Sequence, residues 1–397
     1  MGRVDLRDIV GSLKFEIELR EFIEIASRVL REGGFRCIDL NNLSREDLRI
    51  LKVLYMMGCR HVYSCEKDSK DWYSLEDLGF YDDISPQPYR VFRDSEELLY
   101  RNWPTPLLRI RSLSSGGVRA WAKLEYYNPY SMSIKDRIGW YMVKVYSEEK
   151  GEKLTGRTIY EATSTNTGMA LAAMSRLNDF KAVLFIPSTI QKASDILLEV
   201  MGGKVERRPK TLTIEMIDEV EQISRSSGGV HLNQFYNDAN FLVHFRYTAK
   251  ELDLQIRSAG LKMKGLIAGI GTSGHFSALS IYFKNRLGSH VKAYAVQPAP
   301  GEIIPGIRRI ETGMKWIHMV SYEGIIDIRL REAIEGALDI ARSEGILVGL
   351  SSGAVARAFK KLVSEGVLDE GDYVLIFPDN GFKYIEQFSR YFSGEIK

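Results

Sequence analysis

From Val118 onward, short apolar runs alternate with stretches of helical spacing, and this alternation constrains the fold more than any other feature. Seven runs read as strands: 118–124, 158–161, 182–186, 204–207, 265–268, 292–296 and 373–377. Apolar strands separated by helical segments predict an α/β architecture with a largely parallel sheet. Ligands of such sheets sit beyond the carboxyl ends of the strands, so functional residues are expected just after strands. Residues 1 to about 100 read instead as a separate, mostly helical unit. There, 15–31 and 45–57 carry apolar residues at helical spacing, and Ser85-Pro86-Gln87-Pro88 punctuates the segment.

Composition excludes several classes. With 397 residues and 45% hydrophobic content, the chain can build two or three domains. Its apolar stretches, such as 264–270 and 373–377, fall far short of the ~20 residues that span a bilayer, so no membrane partner is expected. The first 22 residues carry charges throughout and lack the apolar core of a signal peptide, which predicts a cytoplasmic protein. The net charge is +2 with basic and acidic residues interspersed, so no nucleic-acid partner is expected. Cys37, Cys59 and Cys65 form no CxxC pair and have no histidine spacing suited to zinc, so no metal is expected either. They read as free thiols of a reducing compartment, with a Cys59–Cys65 bridge as the lesser alternative.

Four polar turns and one lysine carry the chemistry. In NPYSMSIKDR, Asn128 to Arg137, a serine-rich loop leads into an apolar helical run. Ser133 is expected as the N-cap and Asp136 as its partner in a capping-box arrangement. That places Lys135 in the first turn, where the helix dipole disfavours an ammonium by roughly 0.3–1 kcal/mol. Such an amine suits Schiff-base chemistry. Taken alone, the segment fits a surface lysine tolerated in a first turn better than it fits that chemistry.

EATSTNTG, Glu161 to Gly168, gathers hydroxyls and an amide at a helix start, a site suited to a carboxylate. AGIGTSGHFSA, Ala268 to Ala278, matches GxGxxG through Gly269, Gly271 and Gly274. A dinucleotide cofactor is nevertheless disfavoured, because the next strand ends in Gln297-Pro298 with no acidic residue to hold a ribose. What remains is a cradle of backbone N–H groups over Gly271, Thr272, Ser273, Gly274 and His275, suited to one phosphate monoester. GLSSGAVARAF, Gly349 to Phe359, opens another helix, and PDNGFKY, Pro378 to Tyr384, is a polar turn after the last strand.

In order and spacing these segments resemble the fold-type II pyridoxal-phosphate enzymes, the cysteine synthase and cystathionine β-synthase group, over about residues 100 to 397. HLNQFYNDANF, His231 to Phe241, and VQPAPGEIIPGIRRIETGMKWI, Val296 to Ile317, look most like the archaeal O-phosphoserine sulfhydrylases within it. The resemblance implies two open, twisted, mostly parallel sheets with flanking helices plus an N-terminal extension, assembled as a homodimer. It implies a large domain of 101–134 and 246–397 and a small mobile domain of 135–245 beside the extension 1–100.

The implied cofactor is pyridoxal 5'-phosphate, held as a Schiff base on Lys135. Asn166 is then the partner of the ring hydroxyl, Gly271 to His275 the phosphate loop, and Ser351 the contact to the ring nitrogen. Thr163, Ser164, Thr167 and Gln234 become the carboxylate site, and Arg308, or less readily Arg309, meets the substrate phosphate. An ion pair with Glu302 or Glu311 is the structural alternative for these arginines. The implied reaction makes L-cysteine from O-phosphoserine, or O-acetylserine, and sulfide through an aminoacrylate. Cystathionine β-synthase or serine/threonine dehydratase activity is the alternative, and a non-catalytic regulatory protein a remoter one. Thr165, where the group has a small glycine, and Ser273 and His275 in the phosphate loop depart from the group's pattern.

Overall fold

A computed structural model describes residues 3–32, 34–35, 42–63, 73–74 and 89–396. Two sheets dominate it. The larger has six strands in the order Gly324–Ile328, Lys292–Pro298, Met263–Gly269, Gly371–Phe377, Val118–Leu124 and Leu107–Ser115. All neighbours are parallel except the last pair, which is antiparallel. The smaller sheet is fully parallel, in the order Val230–His231, Thr158–Ala162, Lys181–Pro187 and Lys204–Arg208. The expected α/β architecture with two mostly parallel sheets is therefore observed. All seven expected strands are present, within a few residues at their ends.

Alternation along the strands explains the layering. Val374 and Ile376 point into one hydrophobic cluster, while Tyr373, Leu375 and Phe377 point into another on the opposite face. Every residue of Gly371–Phe377 is buried, as a central parallel strand covered by helices on both sides requires. The helix Lys135–Lys150 packs with the helix Asn166–Leu177 in a third cluster against the small sheet.

The N-terminal residues do not stand apart. Helix Leu19–Glu32 buries Phe22, Ala26, Val29 and Leu30, and helix Arg45–Met56 buries Leu51, Val53 and Leu54. These side chains belong to the same cluster as Phe241, Phe245, Phe276 and Leu279. Phe22 meets Phe245 edge-on with ring centroids 5.3 Å apart. Short antiparallel pairs, Arg3–Asp5 with His61–Tyr63 and Gly34–Phe35 with Tyr73–Ser74, complete this region. Cys59 is buried there. Cys37, Cys65 and the 85–88 punctuation lie outside the described residues. Among those that are described, no helix is long and apolar enough to cross a membrane.

Candidate active site

One cleft lies between the sheets, and its walls are the turns that follow their strands. Lys135, Asn166, Thr189, Gln234, Gly271, Arg308 and Asp379 come from seven different strand exits and all line it. The cavity volume of the cleft is about 110 Å³.

Lys135 opens the helix Lys135–Lys150, but the expected cap is built differently. Ile134 occupies the N-cap position, and Ser133 Oγ accepts from the backbone N–H of Lys135 itself at 3.1 Å. Asp136 makes no capping box. Its carboxylate reaches back over the loop to accept the N–H groups of Tyr130 (2.7 Å) and Ser131 (2.9 Å). Burial lowers the Lys135 amine to about 8, Asp379 opposes this, and the charge of Lys383 adds to it. Behind the lysine, Arg137 is fully buried between Glu125 (2.6 Å) and Glu251 (2.5 Å). Lys123 joins Glu251 at 3.0 Å, so two cations and two carboxylates balance out of contact with water.

The Asn-containing turn follows Thr158–Ala162. Ser164, Asn166, Thr167 and Gln234 face the cleft, and Thr167 Oγ1 donates to Gln234 Oε1 at 2.7 Å. Thr163 does not face it. Its hydroxyl is buried beneath the turn and accepts from the N–H groups of Gly168 (2.9 Å) and Thr165 (3.3 Å), as a helix-start brace does. Thr165 holds φ at 153°, a region that favours glycine, and its hydroxyl meets Ser194 Oγ at 2.8 Å. Glu161, quoted in the motif without a role, accepts the N–H groups of Asn233 (2.9 Å) and Gln234 (3.1 Å) and so places Gln234.

The loop after Met263–Gly269 leads into the helix Gly274–Leu287 through Ser273 in a left-handed conformation, φ 70°. A Cβ on Gly271 would stand 2.6 Å from the Gly306 carbonyl oxygen, and one on Gly274 2.4 Å from Asn240 Oδ1. Asn240 Nδ2 donates to Thr272 Oγ1 (3.0 Å) and to the Gln234 carbonyl (2.7 Å), tying this loop to the substrate side. Ser273 Oγ, Ser277 Oγ and both ring nitrogens of His275 are buried and find no hydrogen-bond partner among the described residues. Burial and the Lys135 charge hold His275 neutral, down to about 3. Its ring packs edge-on against His244, 5.8 Å away, in a π-helical turn. Unpartnered buried donors at a helix N-terminus fit a bound phosphate.

Ser351 lies in the first turn of the helix Leu350–Ser364 and lines the cleft. The two arginines separate. Arg309 is held outside by Glu311 (2.7 Å) and Asp327 (3.1 Å), the ion-paired alternative, with Asp327 unforeseen. Arg308 lines the cleft over the Phe235 ring, donating to the Gly271 carbonyl at 2.7 Å and to Thr312 Oγ1 at 2.6 Å. The PDNGFKY turn supplies Asp379 and Lys383, neither of which was singled out in the sequence. Asn166 Nδ2 donates to Asp379 Oδ2 at 2.9 Å, and Lys383 Nζ donates to Asn166 Oδ1 at 2.5 Å.

A buried lysine, a loop suited to phosphate and a turn suited to a carboxylate, around one cleft between two mostly parallel sheets, fit a pyridoxal-phosphate enzyme. The chain belongs to the pyridoxal-phosphate-dependent enzyme family, whose model matches residues 98–379, and its cofactor is pyridoxal 5'-phosphate. It is similar to a cysteine synthase of Staphylococcus aureus, 30% identical over 293 residues that cover 71% of this chain and 92% of the relative. Among solved structures, a hydrogen sulfide-producing enzyme from Fusobacterium nucleatum is 27% identical. It superposes with a TM-score of 0.66 over 74% of this chain and all of that one. O-ureido-L-serine synthase shares the fold, with a TM-score of 0.66 at 23% identity, covering 76% of this chain and 96% of that one.

Proposed function

We propose that this protein makes L-cysteine from O-phospho-L-serine and sulfide: the Cβ–O bond breaks, phosphate leaves, and a C–S bond forms at Cβ. Arg308 carries the choice of leaving group. Among the described residues its guanidinium meets backbone and hydroxyl oxygens and the Phe235 ring, and no carboxylate. Burial lowers it to about 10, the mark of a cation without a counter-ion. A phosphate dianion would supply that counter-ion through charge-assisted hydrogen bonds, whereas acetate or hydroxyl would not.

The cofactor supplies the electron sink for charge at Cα. At pH 7 an amine lowered to about 8 is neutral in roughly one molecule in ten, so Lys135 would be able to hold the cofactor's aldehyde and to serve as the base for the α-proton. Ser164, Thr167 and Gln234, with the N–H groups opening Asn166–Leu177, are suited to hold the amino-acid carboxylate. Ser351 would offer the cofactor's ring nitrogen a hydroxyl, which would hold a proton there less firmly than a carboxylate and so would favour prompt elimination over reactions needing a long-lived carbanion. The same reading includes a cytoplasmic location and a homodimer, and sedimentation checks the dimer.

Turnover of O-phosphoserine, O-acetylserine and serine side by side with sulfide tests the proposal. Arg308→Ala is expected to lower kcat/KM for O-phosphoserine by on the order of 10–200-fold, the loss of ~1.5–3 kcal/mol from one charge-assisted hydrogen bond. O-acetylserine turnover should change far less. Equal losses on both substrates would make Arg308 a structural residue and remove the basis for phosphoserine.

A further inference from the structure

We propose that Lys383 is a positioning residue that fixes the amide of Asn166, so that its N–H rather than its carbonyl faces the cofactor cleft. The inference rests on the cofactor and is independent of the leaving group.

An asparagine amide presents nearly the same shape either way round, and its orientation is set by its partners. An ammonium offers donors only. Lys383 Nζ stands 2.5 Å from Asn166 Oδ1, which forces the carbonyl oxygen to that side. The amide nitrogen must then point the other way, where one hydrogen meets Asp379 Oδ2 at 2.9 Å and the second remains for the cleft.

The rest of the cluster holds Lys383 in place. Its ammonium also donates to the Ser131 carbonyl at 2.7 Å and lies 3.6 Å from Asp379 Oδ2. Tyr384 donates its hydroxyl to the same carboxylate oxygen at 2.5 Å. The backbone carbonyl of Lys383 accepts from Gln191 Nε2, on the small-sheet side of the cleft. One residue thereby ties together the loop entering Lys135, the Asn166 turn and the last turn of the large sheet. The titratable groups around it are Lys135, Asp136, Asp379 and Tyr384. The competing role is plain charge balance for the buried Asp379, which would affect stability without acting through Asn166.

A double-mutant cycle on cofactor binding separates the two. Apoprotein is titrated with pyridoxal 5'-phosphate by fluorescence for the wild type, Lys383→Met, Asn166→Ala and the double variant. Lys383→Met is expected to weaken binding on the order of 10-fold, the coupling of neighbours in one hydrogen-bonded network. In the Asn166→Ala background it should add less than about 2-fold, because the residue through which it acts is gone. Lys383→Gln retains an N–H donor without the charge and should recover most of the affinity in the single variant. Independent, multiplying losses, or a Gln variant no better than Met, would overturn the proposal. If the Met variant fails to fold, Lys383→Ala, which also removes the donor, gives the same cycle alone and with Asn166→Ala. Neither arm depends on which substrate is turned over, so failure here leaves the phosphoserine reading untouched.

Discussion

Lys135 and Lys383 share one cleft but serve it differently because their surroundings differ. Burial lowers both amines, but around Lys383 the carboxylates of Asp379 and Asp136 and the oxygens of Ser131 and Asn166 oppose it, whereas Lys135 has only Asp379. The sequence anticipated the direction of the Lys135 shift from its place at a helix start. A helix dipole is worth only ~0.3–1 kcal/mol, less than one pH unit; burial, invisible in a linear sequence, is the main cause of the move from 10.5 to about 8, and the Lys383 charge adds to it. Reaction of the apoprotein with pyridoxal 5'-phosphate should therefore rise with pH around a midpoint near 8, not near 10.5; stopped-flow absorbance checks it. Between those two values the folded protein binds fewer protons at this site than the unfolded chain does. From this group alone, stability then rises with pH across that window. Thr163 and Arg309 show the limit of reading residue by residue. Each has the right chemistry for its expected role, and each is turned away by partners, Gly168 and Thr165 in one case, Asp327 and Glu311 in the other.

Among the elements, six of the seven strands legible in the sequence are central, and the seventh, Lys204–Arg208, is a partly exposed edge. The three missed from the two sheets, Leu107–Ser115, Val230–His231 and Gly324–Ile328, are all edges. An edge strand is partly exposed and lacks the continuous apolar run of a central parallel strand. The cap of the lysine helix was misread for a related reason. Ser133 bridges to Asp379, and Ile134 N–H donates to the Pro378 carbonyl at 2.8 Å, partners that sequence spacing does not reveal. The phosphate loop was legible because its glycines are demanded by close approach. Gly274→Ala should displace Asn240 and with it Thr272 and the Gln234 turn. Overpacking of ~1–3 kcal/mol predicts cofactor binding weakened roughly 5- to 150-fold, read by equilibrium dialysis.

For the molecule as a whole, the first helices were legible as helices, but their destination was not. Phe22 closes a core shared with Phe245, one residue from the His244 that faces the phosphate loop. Phe22→Ala should lower unfolding stability by ~3–5 kcal/mol in urea titration, the cost of emptying a fully buried aromatic site. The way the large sheet is threaded also sets an order in time. Residues Arg119 and Asp372, on adjacent central strands, are 253 positions apart in the chain, whereas the small sheet is complete within residues 158–231. On a ribosome the small sheet has all its strands while Gly371–Phe377 is still unmade. Until that strand arrives, Val118–Leu124 has an unpaired edge, the aggregation-prone condition of slow, long-range parallel pairing. The nascent chain therefore carries Lys135, the proposed cofactor lysine, beside a sheet whose strands are all made, ahead of a floor that is synthesised last.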